Sequence, residues 1–315
     1  MPTDPTPAPP SSAPVLVTGA TGRQGGATLR ALRAADVPVR ALVRDPHTDR
    51  AQAVAALGAE LVTGDLHDRD SVVRAAEGAR AVFSVQMPAM DADGGFDFAG
   101  EITQGTNLIE GAKAAGVRQF VHTSTVGAGQ HVDVPEWERD GWAERIPSLV
   151  AKSTLQDRLR AADFPRWTLL KPGTFMDNFL PSMGFLFPRG VAGGLVSVLR
   201  PDTRVSLVAV DDIGNAAAAA LTDPDRFHRV ELELASDHLS MTEITGVLSR
   251  VLGVPLAVPD MTEAEAVAAG MPPMGATHEW LNVAEQPGRP AYARELGLAV
   301  TPFETWAREH LRADA

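Results

Sequence analysis

Cysteine is absent from the 315 residues, which removes disulfides, thiolate metal sites and cysteine nucleophiles together. Aromatic residues make up only 5%, with a single tyrosine, Tyr292, in the C-terminal part. Positive charge is in deficit: 28 Lys and Arg stand against 40 Asp and Glu, a formal net charge of -12. Such a surface repels a phosphate backbone, so nucleic acid is not expected as a direct ligand. No apolar run approaches the roughly 20 residues that a membrane-spanning helix needs, and the Ala-rich run at 216–220 is far too short. The opening MPTDPTPAPPSSAP is proline-rich and lacks the basic flank and apolar core of a secretory signal, so residues 1–13 read as a disordered tail. A cytoplasmic protein with neither membrane nor metal is the expectation.

What is present is enough apolar material, 44% of the chain, for one large core or a core plus a smaller lobe. Residues 14–20, 39–44, 59–65, 81–86, 119–125 and 167–173 read as short apolar strands. Helical spacing fills most of the gaps, over Gly26 to Ala35, Asp70 to Glu77, Phe98 to Ala115 and Ser148 to Ala162. Alternating strand and helix predicts an α/β fold, a doubly wound parallel Rossmann sheet with helices on both faces. After Gly173 the stretch GTFMDNFLPSMGFLFPRGVAGG has no period. Strands at 206–210 and 230–235 follow, with a helix from Asp211 or Asp212 between them and further helices at 242–252 and 302–312. The expected division is therefore 14–173 for the nucleotide domain and 174–315 for a smaller substrate lobe, interleaved with the last sheet elements. Ligands of open parallel sheets sit beyond the carboxyl ends of the strands, where such a lobe would close a pocket.

The segment VLVTGATGRQGG, residues 15–26, is a strand running into glycines and then a helix. In that context Gly19 permits a tight turn, Gly22 lets backbone approach a pyrophosphate, and Gly25 lets helix pack on strand. The alternative is a close helix–strand contact with no ligand. Strand 39–44 ends in Arg44, a residue suited to a 2′-phosphate, so NADP(H) is expected over NAD(H); Arg23 could assist, and the neighbouring Asp45 keeps NAD(H) in play.

Together VTGATGRQGG, ALVRDP, GAELVTGDLHDRDS, HTSTVGAG, LLKPGTFMDNF and VAVDDIGNAAAAAL resemble an NmrA-like member of the atypical short-chain dehydrogenases/reductases, over nearly all of residues 14–312. The resemblance implies that Gly19, Ala20, Thr21, Gly22, Arg23, Gln24 and Gly25 hold the phosphates, that Arg44 holds the 2′-phosphate, and that Asp65 and Leu66 hold adenine. It also implies Gln86 and Met87 beside the nicotinamide ribose, and Pro172, Gly173, Thr174 and Phe175 near the nicotinamide.

Typical members of that superfamily use a Ser/Thr with Tyr-x-x-x-Lys. Here Lys152 matches the lysine, but Ser148 stands where the tyrosine would be. Losing a positioned acid typically forfeits 10²–10⁴ in rate, about 3–5 kcal/mol of barrier. Either the acceptor takes hydride without a protein proton, as a quinone, iminium dye or conjugated alkene does, or Lys152 serves as the acid, as in related isoflavone-reductase-like enzymes. Ser124, at the superfamily serine position, and His131, in the loop after it, are the other catalytic candidates; His122 reads as packed. Trp137, Trp142, Met176 and Phe179 are candidates for an apolar pocket or for core, and Asp211 with Asp212 for a helix N-cap. The expected function is reduction of a small electron-poor acceptor, with a homodimer compatible. The rival is a non-catalytic NADP(H) sensor acting through a protein partner.

Overall fold

The computed structural model describes residues 12–90, 95–272 and 275–311. Of the tail expected over residues 1–13, all but Ser12 and Ala13 lies outside the described residues. The chain divides into two compact units, residues 1–124, 151–170 and 214–231 in the first and 125–150, 171–213 and 232–315 in the second.

Ten strands are described: β1 (Val15–Val17), β2 (Val39–Val43), β3 (Glu60–Thr63), β4 (Ala81–Ser84), β5 (Gln119–Thr123), β6 (Arg166–Pro172), β7 (Thr174–Phe175), β8 (Arg204–Val208), β9 (Val230–Leu234) and β10 (Asp237–Ser240). Seven form one sheet in the order β3-β2-β1-β4-β5-β6-β9, and β3 through β6 pair in parallel. The doubly wound expectation is met. Strand order reverses between β1 and β4, the switch point where such sheets bind ligands. Strands β1, β4 and β5 are buried along their whole length, as sheets covered on both faces require.

The first unit opens with helices α1 (Arg23–Ala34), α2 (Asp49–Ala56), α3 (Arg69–Ala76) and α4 (Phe98–Ala114). Its core joins Leu16, Val72, Leu108, Phe120, Phe164 and Leu169, where each large side chain contributes about 1.5–3 kcal/mol by leaving water. In the second unit β7 pairs parallel with β8, and β10 pairs antiparallel with β8. Two short helices, α5 (Pro135–Arg139) and α6 (Trp142–Arg145), precede α7 (Pro147–Ala161), which belongs to the first unit from residue 151 on. Next come α8 (Val210–Thr222), which passes into the first unit at residue 214, and then α9 (Met241–Leu252), α10 (Glu263–Ala268), α11 (Gly275–Leu281), α12 (Pro290–Glu295) and α13 (Phe303–His310). A second core gathers Phe179, Leu207, Ile244, Phe303 and Trp306.

One expectation is corrected by the start of α8. Asp211 and Asp212 lie in its first turn rather than at its N-cap. The buried Asp212 carboxylate accepts from Ser236 Oγ at 2.6 Å and from Thr301 N at 2.7 Å. It ties two later segments of its own unit together.

Candidate active site

The first unit carries the glycine loop between β1 and α1. Gly19 has φ +61°, and a Cβ there would lie 2.6 Å from Val85 Cγ1; a Cβ on Gly25 would lie 2.3 Å from the Gly19 carbonyl oxygen. Both positions therefore exclude any side chain. Thr18, which sequence reasoning passed over, anchors the loop: its Oγ1 donates to Val85 O at 3.0 Å and accepts from Val85 N at 2.9 Å. Helices α2, α3 and α4 are capped by Thr48, Asp68 and Asp97. Gly22 offers α1 no side-chain cap, and the first turn of α1 has no acidic residue. No carboxylate of α1 itself therefore occupies its positive end, as a diphosphate cradle requires.

Around this loop the structure places the other nucleotide candidates. Arg44 is exposed at the end of β2, while the Asp45 carboxylate turns back on its own loop, with Oδ1 accepting from His47 N at 2.8 Å. Asp65 Oδ1 accepts from His67 N at 2.9 Å, and Leu66 packs against the first core. Gln86 is buried and Met87 exposed. Gln24 Oε1 and Gln86 Oε1 are buried without a partner among the described residues, and such acceptors are costly unless a ligand donates to them. Close glycine backbone, an uncapped helix start, a basic β2 end and orphaned acceptors together fit a dinucleotide phosphate.

Polar side chains converge near the carboxyl ends of β4 and β5. On α7, the Lys152 Nζ lies 2.5 Å from Oε1 of Glu101, a carboxylate with no solvent exposure in the first turn of α4. Sequence reasoning missed Glu101, since nothing in the α4 pattern marks which charged residue turns inward. Gln156, one turn beyond Lys152, donates Nε2–H to Ser124 Oγ at 2.7 Å. Ser84 Oγ lies 2.9 Å from both Gln86 Nε2 and His122 Nδ1.

His122 is packed, as expected, and its environment fixes its charge. Burial, then the Lys152 ammonium, push its pKa down to about 3, against a smaller opposing effect of hydrogen bonding at Ser84. A histidine whose folded pKa lies below the ordinary 6.5 favours the native state fully above pH 6.5 and loses that contribution as pH falls toward the folded value. His122→Asn, which keeps an acceptor toward Ser84, is accordingly expected to flatten the fall of thermal midpoint between pH 6.5 and about 3. An unchanged slope would assign acid sensitivity to other groups.

The second unit holds the remaining candidates. Gly173 N donates to Leu234 O at 3.0 Å, Pro172 O accepts from Val126 N at 3.0 Å, and Thr174 and Phe175 form β7. His131 is buried, its Nδ1 accepting from Gly129 N at 3.1 Å and its ring edge-on to Trp137 at 4.2 Å. Burial lowers its pKa, so near neutral pH it is an uncharged packing group. Trp137 and Trp142 each lie 5.2 Å from Trp280, a partner that sequence reasoning did not supply. Met176 and Phe179 are at most 1% exposed within the second core and offer no surface to a ligand. Tyr292 is exposed on α12. Among the described residues no group of three His, Cys, Asp or Glu could hold a metal, and no helix is long and apolar enough to cross a membrane.

The family model for the NmrA-like family matches residues 11–286. The chain belongs to the NmrA-like family. A relative from Streptomyces griseus subsp. griseus, named (4-alkanoyl-5-oxo-2,5-dihydrofuran-3-yl)methyl phosphate reductase, is 32% identical over 313 residues, covering 96% of this chain and 99% of its own. The crystal structure of Citrobacter sp. triphenylmethane reductase complexed with NADP(H) superposes with TM-score 0.77 at 21% identity, covering 95% of this chain and all of that one. NmrA, a negative transcriptional regulator, in complex with NADP, superposes with TM-score 0.72 at 19% identity, covering 96% and 97%. One fold thus carries reductases and a regulator, and the fold by itself does not choose between them.

Proposed function

We propose that this chain is an NADP(H)-dependent reductase that delivers hydride to a small electron-poor acceptor, above all a carbon–carbon double bond conjugated to a carbonyl. The observation that carries the reading is the Lys152–Glu101 pair: the family lysine is held on a buried carboxylate, with Ser148 where a phenol would stand. A ketone needs a proton as its oxygen takes up charge, whereas a conjugated system spreads that charge and can take its proton later, at carbon. The relative at 32% identity, named for a 2,5-dihydrofuranone phosphate, supports this substrate class. Its 32% identity over nearly the whole of both chains, against 19% for the regulator, also favours the enzyme over the sensor.

The bound dinucleotide supplies the hydride. The backbone of residues 19–25 holds its diphosphate, Arg44 its 2′-phosphate and Leu66 its adenine. Gln86 and Lys152 hold the nicotinamide ribose, satisfying the orphaned Gln86 Oε1. On this reading the enzyme acts on a small molecule in the cytoplasm.

The test is NADPH oxidation by the purified protein with 2(5H)-furanone, a quinone, a cationic triphenylmethane dye and a simple ketone. Turnover of the conjugated acceptors and none of the ketone is expected. Tight NADPH binding with no turnover of any acceptor would favour the sensor, and turnover of the ketone would show an acid that this account lacks.

A further inference from the structure

Three side chains on one line of α7, at 152, 156 and 160, each reach a different partner. Lys152 meets Glu101, Gln156 meets Ser124, and Arg160 meets Glu231 through two bonds of 2.7 Å. Arg160 Nη2 also lies 3.1 Å from the Gln156 side-chain oxygen. A guanidinium has donors only, so the amide group facing Arg160 must be the oxygen and the group facing Ser124 must be the NH₂. Ser124 Oγ is therefore an acceptor in that bond, and its own hydrogen has to go elsewhere. The hydrogen bonding of Ser124 Oγ among the described residues is the bond from Gln156, with none made by its own hydrogen, and Ser124 is only 5% exposed. A buried hydroxyl hydrogen left without an acceptor is costly, and an oxygen of a ligand would relieve it.

We propose that Gln156, oriented by Arg160 and Glu231, is a positioning residue that fixes Ser124 as a one-way hydrogen-bond donor to the carbonyl oxygen of the conjugated acceptor. The proposal rests on the reductase reading. As hydride adds to the β-carbon, the alkene pair shifts to the bond between the α-carbon and the carbonyl carbon, and the carbonyl pair moves onto oxygen. Ser124 donates to that enolate oxygen and keeps its proton, and the bond strengthens as the charge grows. Collapse of the enolate then takes one proton from water at the α-carbon, so that substrate, NADPH and a proton give saturated product and NADP⁺. A cationic dye that accepts hydride at carbon develops no oxyanion and makes no such demand on Ser124.

Gln156→Glu tests this with little change of shape. The new carboxylate still pairs with Arg160 but accepts from Ser124, reversing the bond. The ratio of kcat for 2(5H)-furanone to kcat for a cationic triphenylmethane dye is expected to fall about 10²–10³-fold, the usual effect of losing one oxyanion donor. An unchanged ratio, whether both rates fall together or neither moves, would overturn the proposal. Neutron diffraction from deuterium-exchanged crystals of the unsubstituted protein reads the same bond without turnover. A Ser124 deuteron pointing away from Gln156 is expected, and one on the line to Gln156 would overturn the proposal whatever the kinetics. A correctly placed deuteron in a protein that reduces neither acceptor would overturn the reductase reading, and with it the catalytic use of Ser124, while leaving the Gln156 orientation standing.

Discussion

Lys152→Met is expected to lower the thermal midpoint by on the order of 10 °C, before any effect on catalysis is considered. The cause is Glu101, whose carboxylate has no exposed surface and whose nearest positive charge is Lys152 Nζ at 2.5 Å. Breaking a buried pair by removing one partner typically costs about 3–5 kcal/mol, because the other charge stays behind desolvated and uncompensated. Glu101→Gln alone should cost less, since Lys152 keeps 16% of its side chain exposed and its ammonium can turn toward water. The Glu101→Gln/Lys152→Met double substitution should recover most of the midpoint lost by Lys152→Met, a coupling that calorimetry of the four proteins reads directly. Additive losses would show that the two residues act independently and that the pair is incidental. This coupling also governs how a lysine variant is interpreted: inactive Lys152→Met could reflect a collapsed α4–α7 contact, whereas inactive but stable double variant implicates the ammonium itself.

Arg44→Asp should weaken NADPH binding by two decades or more, with NADH affected far less. Arg44 is exposed, so its replacement leaves the core untouched. A charge-assisted hydrogen bond to the 2′-phosphate is worth about 1.5–3 kcal/mol, or one to two decades, and the new carboxylate adds repulsion. Asp45 is already engaged with His47 N, so the variant carries two acidic residues at the β2 end, one of them able to accept from a ribose 2′-hydroxyl. Fluorescence titration with both nucleotides separates the outcomes. Equal losses for NADPH and NADH would remove Arg44 from the 2′-phosphate.

The parts of this molecule legible in the sequence are those encoded by local pattern. Short apolar strands alternating with helical segments specify the parallel sheet, and the glycine spacing anticipates both the left-handed Gly19 and the crowded Gly25. Helix α2 escaped because its eight residues bury only Ala51 and Val54, too few to set up a period; its Thr48 cap, followed by Asp49, was the available signal. Glu101, Gln156 and Trp280 escaped for another reason. Periodicity states which face of a helix is buried, but a charged or amide side chain turned inward is indistinguishable in one sequence from the same residue in water. Only the fold brings Glu101 to a lysine 51 positions later and Gln156 to a serine 32 positions earlier. Conversely, Met176 and Phe179 lie in an unpatterned stretch that suggested a pocket, yet the short β7 and the 3₁₀ turn after it deliver them to the second core.

The most direct test of the central claim is isotope transfer. The purified protein is incubated with NADPH deuterated at C4 of the nicotinamide and 2(5H)-furanone in ordinary water, then with unlabelled NADPH in deuterium oxide. Cofactor deuterium at the β-carbon of the saturated lactone in the first experiment, and solvent deuterium at the α-carbon in the second, is the expected pair of results. Saturated product carrying no cofactor deuterium, or nucleotide binding with no labelled product from this or any other conjugated acceptor, would contradict hydride delivery as the task of this chain.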